Sequence, residues 1–283
     1  SEAMKTKTHA MLAILVLALT FAGCGKSAPS PEGSAAVPAQ PAAEAPAAAT
    51  PAATGLRTIA DMANAWNALF RGNEKAINDY QGMPIMGLVT PPLAFASAVQ
   101  FDIMNPRNQD GRFTGKMMLA GHPGFLERAG SRLSFGYDDK LQKDGFGPLN
   151  KAGDRVAGSG SLALDPGYFV WETFNERDGQ KIQRDYTEFK RLADGSMICI
   201  ALSGQAFDMR GEAGNKDEAI FLHNGPGRYD FVIANGKTGP GFAAISFADK
   251  GDLDKAQALE LLKAAGYEIE QSGGIQGGKL VLD

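Results

Sequence analysis

The stretch "GYFVWETFNERDGQKIQRDYTEF", residues 167–189, predicts a β-hairpin at the centre of the folded region. Two segments of alternating apolar and polar residues flank Asp178-Gly179, a dipeptide that favours a two-residue turn with positive φ at both positions. That turn sets Arg177 opposite Gln180 and pairs each earlier residue with a later one so that the two residue numbers sum to 357. The hairpin therefore predicts antiparallel pairing for this part of the chain.

The regular register places Glu172 directly opposite Asp185, with Cβ atoms about 4.5–5.5 Å apart. Two carboxylates at that distance repel unless one takes up a proton or a cation lies between them. Paired carboxylates with separated pKa values are also what glycoside hydrolysis requires. Two interpretations follow: a structural pair with Arg184 or Lys190 as the neighbouring cation, or the catalytic pair of a glycosidase-like hydrolase.

Further strand-like segments lie on both sides of the hairpin, bounded by the Gly, Asn, Asp and Pro residues that turns require. Upstream, the pattern predicts strands at 84–89, 98–104 and 154–164. Downstream, it predicts a strand at 197–203 and a three-stranded meander over 218–247. These segments indicate a β-rich body without an internal repeat.

Helical spacing of apolar residues predicts one helix at each end of this body. The first begins at Ile59 with Thr58 and Asp61 as a capping pair, and Gly72 is expected to end it. The second has its cap near Asp252 and Gly266 just past its end. The order of elements predicts an α+β class: an N-terminal helix, an antiparallel body, and a C-terminal meander plus helix.

A family resemblance lies within residues 63–89, in "NALFRGNEKAINDYQGMPIMGLV" (67–89), and in "LNKAGDRVAGSGSLAL" (149–164). These segments resemble small bacterial envelope OB-fold proteins of the tRNA-anticodon-domain-like type. In that family a helix carrying an Asn and a "Y-x-G" precede the first strand, and "K-x-G-D-x-V" opens a late one. The resemblance implies an OB-like barrel that binds a partner instead of catalysing a reaction.

The N-terminal residues are typical of a signal peptide, since Lys5 and Lys7 precede an apolar run at 11–23. This run is shorter than the ~20 residues that a transmembrane helix needs. "FAGC" at 21–24 resembles a bacterial lipobox, which implies that Cys24 carries lipid after cleavage. An ordinary secretory signal with an incidental cysteine is the alternative.

The residues after Cys24 bear on localisation and on domain organisation. The lipobox resemblance implies an anchor in the periplasmic leaflet of the outer membrane, or at the cell surface, because Gly25 replaces the Asp that favours inner-membrane retention. Ala and Pro dominate residues 25–54, which predicts a linker without a core. The expected organisation is a signal peptide at 1–23, lipidated Cys24 with its linker at 24–54, a helix plus β-rich domain at 56–165, and an α+β domain at 166–283, or one continuous domain in place of the last two.

The charge and the Cys and His content of the chain indicate which partners and cofactors to expect. The net charge of −4 and the pI near 5.5 lack the basic character of a nucleic-acid binder. Cys199 lies in a strand that is apolar on both faces, so we expect an inert buried thiol. His122 and His223 lie in turn-like sequences without neighbouring ligands, so we expect solvated side chains and predict neither a metal nor a cofactor.

The leading functional expectation is a non-enzymatic envelope protein that is anchored to the membrane by lipid and binds a protein, glycan or lipid. The alternative is a periplasmic hydrolase in which Glu172 and Asp185 are catalytic.

Overall fold

The computed structural model describes residues 55–78, 93–118, 121–145, 148–207, 211–247 and 252–283. The predicted signal peptide, Cys24, the predicted linker and the strand expected at 84–89 lie outside these ranges. Residues Thr54–Asp283 form one compact unit.

Within the described residues, eleven strands form a single antiparallel sheet in which every strand pairs with its neighbours along the chain. The strands are β1 Gly111–Lys116, β2 Pro123–Ala129, β3 Arg132–Lys140, β4 Arg155–Ala163, β5 Tyr168–Arg177, β6 Gln180–Arg191, β7 Met197–Phe207, β8 Ala213–Gly225, β9 Arg228–Gly236, β10 Glu268–Gln276 and β11 Lys279–Leu282. β4 pairs with β5, so the sheet runs through the boundary suggested at residues 165 and 166.

The expected α+β class, with its OB-like barrel, is wrong, because the described chain is mainly β and its strands form one sequential meander. Two predicted strands are also absent from the described residues. Val99–Met104 is a 3-10 helix, since the buried Ala98 and Phe101 follow helical spacing instead of alternation. The third meander strand is replaced by the 3-10 turn Gly239–Gly241 and irregular residues 242–247.

Helix α1 spans Ile59–Asn78 and begins as predicted. The backbone N–H of Asp61 donates to Thr58 Oγ1 at 3.0 Å, and the N–H of Thr58 donates to Asp61 Oδ2 at 3.0 Å. The helix continues through Gly72, contrary to expectation. The buried Asn73 side chain follows and donates from Nδ2 to the carbonyl oxygens of Gly225 and Arg228, 2.9 Å in each case. This tertiary anchoring offsets the roughly 1 kcal/mol that Gly costs inside a helix.

The 3-10 helix supplies a second cap for α1. Asp102 Oδ2 accepts a hydrogen bond from the N–H of Ala60 at 2.8 Å, and Oδ1 accepts one from Ile59 at 3.2 Å. Burial raises the pKa of Asp102 to about 6, although these two backbone hydrogen bonds oppose the shift. Residues 93–104 are thereby fixed beside the start of α1.

Buried layers cover both faces of the sheet. The Trp171 face, which carries the side chain of Trp171, packs against α1 and residues 93–104. The Tyr186 face is the opposite one and packs against residues 242–247 and helix α2, Lys255–Ala264. Asp254, two residues after the predicted cap, forms a capping box with Gln257 at the start of α2.

Candidate binding cleft

A polar row crosses the Trp171 face where its apolar core ends. Thr173, Asp185, Ser203 and Glu218 are paired in succession across β5 to β8, so their side chains lie on one face. The next row toward the core consists of Trp171, Thr187, Ala201 and Ile220. Hydrogen-bonding side chains and an apolar surface therefore lie side by side where the two rows meet.

A cleft of about 260 Å³ lies over this boundary. Leu93, Ala94 and Ser97 of the helical segment 93–98 line one side, and the two rows form the other. At about 30 Å³ per water molecule, this space corresponds to roughly nine waters. The cleft is therefore large enough for a small molecule or for one group of a larger partner.

Asp185 lies at the polar end of the cleft and is held by donors on three strands. Ser203 Oγ donates to its Oδ1 at 2.6 Å, while Gln183 Nε2 and Thr173 Oγ1 lie 3.0 and 3.5 Å from its Oδ2. Desolvation raises the pKa of Asp185 above its usual value, and these hydrogen bonds oppose the shift. The carboxyl is thus fixed in orientation while part of its surface still faces the cleft.

Glu218 is the second carboxyl of the cleft, and its surroundings differ from those of Asp185. Among the described residues, no side chain or backbone group forms a hydrogen bond or an ion pair with its carboxyl group. Burial raises the pKa of Glu218, and the charge of Glu270 raises it further. Glu270 is held nearby by Asn235, whose Nδ2 donates to its Oε2 at 2.8 Å. Glu218 is therefore a half-buried acceptor to which no described residue donates.

Tyr137 extends the polar row on the β3 side. Gly158 leaves space for its ring, because a Cβ at position 158 would lie 2.5 Å from Tyr137 Cε1. Burial, and then the charge of Asp185, raise the pKa of Tyr137 to about 12. The ring stacks on His122 with centroids 5.2 Å apart, and His122 Nδ1 lies 2.9 Å from Asp139 Oδ2. His122 is thus a paired residue instead of the solvated one predicted.

The structure does not bring Glu172 and Asp185 together. The Asp178-Gly179 turn has positive φ at both residues, as predicted, and Arg177 faces Gln180. Beyond Glu176 the register shifts by one residue at Ile182. Asp185 therefore faces Thr173, and the predicted pairing with Glu172 is wrong.

Glu172 instead faces Tyr186 and belongs to the Tyr186 face. Arg184 Nε donates to Glu172 Oε1 at 2.7 Å, which confirms the expectation of a neighbouring cation. The same guanidinium donates to the carbonyl oxygen of Phe242 at 2.7 Å and lies 4.6 Å from the centre of its ring. This cluster attaches the 242–247 segment to β5 and β6. Cys24, the predicted lipidation site, lies outside the described residues.

Sequence reasoning missed a buried acid on the Tyr186 face. Glu188 is fully buried and accepts hydrogen bonds from the hydroxyls of Tyr168 and Tyr186, the latter at 2.8 Å. Ser246 Oγ and the N–H of Phe247 also donate to it, at 3.1 and 3.2 Å. Side chains two residues apart in a strand lie on the same face, so the sequence of β6 could have predicted that Tyr186 and Glu188 are neighbours.

The prediction that His223 is solvated in a turn is wrong, because this residue is buried in β8. Its Nε2 lies 3.0 Å from Ser196 Oγ, which in turn donates to Asp194 Oδ1 at 2.6 Å. The Nδ1 atom is buried without a hydrogen-bond partner in the described structure. Desolvation lowers the pKa of His223. Cys199 is fully buried, as predicted.

Comparisons with protein-family models, curated proteins and solved structures found no match to this chain. Within the described ranges, no cluster of three or more His, Cys, Asp and Glu residues is arranged to hold a metal ion. None of the described helices combines the length and apolar character that crossing a membrane requires.

Proposed function

We propose that this chain is a non-enzymatic, lipid-anchored protein of the cell envelope that binds a small ligand in the cleft of the Trp171 face. The ligand is either a free small molecule or one group of a larger glycan, lipid or protein. The main support for the proposal is the cleft itself. It combines polar groups of fixed orientation with an apolar wall, and this combination is common in ligand-binding sites.

The anchoring part of the proposal rests on the sequence around Cys24. A lipid on Cys24 would attach the chain to the outer membrane or to the cell surface, and residues 25–54 would act as a linker between the anchor and the sheet. The acidic balance of the chain and the two carboxyl groups of the cleft favour a ligand other than nucleic acid.

The placement of Glu172 supports binding over hydrolysis. The hydrolase alternative depended on Glu172 and Asp185 as an acid–base pair, and they lie on opposite faces of the sheet. Glu172 is engaged by Arg184, and Asp185 by Ser203 and Gln183. The contact with Arg184 fits a structural role for Glu172 on the Tyr186 face. The contacts of Asp185 fit a role in orienting a ligand on the Trp171 face.

A fragment screen on the full-length, detergent-solubilised chain tests the proposal. We would label Leu and Ile methyl groups with ¹³C and add compounds of roughly ten non-hydrogen atoms, a size suited to this cleft. We expect some compounds to shift the methyl signals of Leu93 and Ile220, which line the cleft, but not that of the exposed Ile103.

A blocking variant and a matched control complete the test. Ser97→Trp places an indole in the cleft and should abolish these shifts, whereas Arg71→Trp adds the same group to an exposed position of α1 and should preserve them. Shifts that persist in Ser97→Trp, or a screen without any hit at Leu93 and Ile220, would contradict a ligand in this cleft.

A further inference from the structure

We propose that the ligand of this cleft carries an ammonium group, that Glu218 receives this group, and that the apolar part of the ligand contacts Leu93 and Ile220. The inference rests on the proposed function, because it specifies the chemistry of the ligand in that same cleft.

The described lining of the cleft carries acidic side chains and no basic ones. It includes two acids, Asp185 and Glu218, but none of these described residues is Lys, Arg or His. A carboxylate that is partly removed from water is costly unless a donor or a cation compensates it. Asp185 has such compensation from Ser203 and Gln183, whereas Glu218 has none among the described residues. The missing donor is therefore expected from the ligand.

An ammonium group fits this position better than a metal ion. Glu218 and Asp185 are separated by one intervening strand, so their Cα atoms lie roughly 10 Å apart at about 4.8 Å per strand. Calcium takes six to eight oxygen ligands, and no described group of three or more ligating side chains is present. An ammonium group needs only up to three acceptors and tolerates a single carboxylate.

The remainder of the ligand is expected to be apolar. Leu93 is 41 % exposed at the rim of the cleft, and Ile220 and Trp171 form the wall beyond Glu218. A ligand with its charge at Glu218 and its hydrocarbon on Leu93 would cover the exposed part of this leucine, which favours binding by removing apolar area from water. The proposed ligand is thus a small amphipathic primary amine, free or at the end of a larger molecule.

The test compares two probes of nearly equal shape, cyclohexylammonium and cyclohexanol, on the full-length chain with methyl-labelled Leu and Ile. At pH 8 we expect both to shift Leu93 and Ile220, with the ammonium compound binding at least tenfold more tightly, as a charge-assisted hydrogen bond predicts. Glu218→Gln should remove this preference, and Glu218→Asp, which keeps the charge, should retain most of it. Glu127→Gln, on the exposed surface of β2, is the matched control and should leave it unchanged.

The outcomes separate the two proposals. Equal affinity for both probes, or a preference that survives Glu218→Gln in a variant whose Ile103 signal shows an intact fold, would overturn the ammonium assignment while leaving the cleft as a ligand site. Absence of any shift at Leu93 and Ile220 with both probes would count against both proposals.

Discussion

Glu172 and Asp185 belong to the two strands of one hairpin, yet their side chains lie on opposite faces of the sheet. The cause is Ile182, an extra residue in β6 that shifts the pairing by one position. Because side chains alternate along a strand, a shift of one residue reverses the face of every later residue relative to its expected partner. The two acids consequently have separate roles, one in an ion pair and one in the cleft.

Replacing Glu172 by Gln should destabilise the fold modestly. The change removes the charge that pairs with Arg184 Nε at 2.7 Å, where the two side chains are 29 % and 17 % exposed. We expect a loss of about 1 kcal/mol in the free energy of unfolding, measured by urea denaturation at pH 7. Glu127→Gln, in an ion pair whose side chains are about half exposed, should cost less than about 0.5 kcal/mol. A stabilised Glu172→Gln variant would be inconsistent with the ion pair.

The hairpin shows which parts of the fold the sequence could predict. Asp178-Gly179 specified the turn, because few dipeptides adopt positive φ at both positions. The alternation in β5 and β6 and the continuous apolar run of β7 predicted strands. The displacement at Ile182 could not be read from the sequence, since Ile is apolar and suits either a paired or a bulged position. The apolar pattern alone therefore could not place Asp185 in the cleft.

Glu218→Gln should have the opposite effect on stability from Glu172→Gln. Glu218 is half-buried and has no hydrogen-bond or ion-pair partner among the described residues, and the charge of Glu270 opposes its own. Removing the charge should raise the free energy of unfolding by about 0.5 kcal/mol at pH 7, a small gain because partial exposure screens the charge. Urea denaturation in the absence of ligand measures the difference. A loss of 1 kcal/mol or more would reveal a stabilising contact at Glu218.

The buried imidazole of His223 should make the fold less stable in mild acid. Its pKa is lowered chiefly by desolvation, and Arg228 adds to this effect, while Asp230, Asp194 and Asp252 oppose it. The unfolded chain therefore takes up this proton before the folded chain does. The contribution of neutral His223 to stability is complete above about pH 6.5 and falls with decreasing pH by at most about 1.4 kcal/mol per pH unit.

The variant His223→Gln isolates this contribution. Between pH 7.5 and pH 5.5 the wild-type chain should lose roughly 1 kcal/mol more stability than the variant does, as measured by urea denaturation at each pH. Asp102 titrates in both proteins, so its contribution to the pH dependence of stability cancels in the difference between them. Parallel pH profiles for the two proteins would show that His223 protonates equally well in the folded state.

The candidate site was less predictable than the fold, because its parts come from distant positions. Asp185 and Glu218 are separated by β7, and Leu93 reaches the cleft because the segment that follows it packs on the sheet through Phe95 and Phe101. Alternation could have placed Glu218 on the same face as Ile220. It could not have shown that no described residue would pair with Glu218, since this depends on the tertiary arrangement.

The anchor can be tested by replacing Cys24 with Ser. If Cys24 carries the acyl chains, the variant should remain unprocessed or leave the membrane fraction, and metabolic labelling with a fatty acid should disappear. The Cys199→Ser variant is the control and should still be labelled, because Cys199 is fully buried. Globomycin, which blocks cleavage of lipoprotein signals, should increase the apparent mass of the wild-type chain. An unchanged mass would exclude lipoprotein processing.

Replacing Glu188 by Gln should be the most damaging of these changes. Its carboxylate accepts hydrogen bonds from Tyr168, Tyr186, Ser246 and the N–H of Phe247, and thereby holds the 242–247 segment on the Tyr186 face. An amide nitrogen in place of one oxygen removes acceptor capacity in a fully buried site. We expect a loss of about 2–4 kcal/mol in the free energy of unfolding, measured by urea denaturation with Glu127→Gln as the exposed control. A loss below about 0.5 kcal/mol would show that the donors rearrange without the carboxylate.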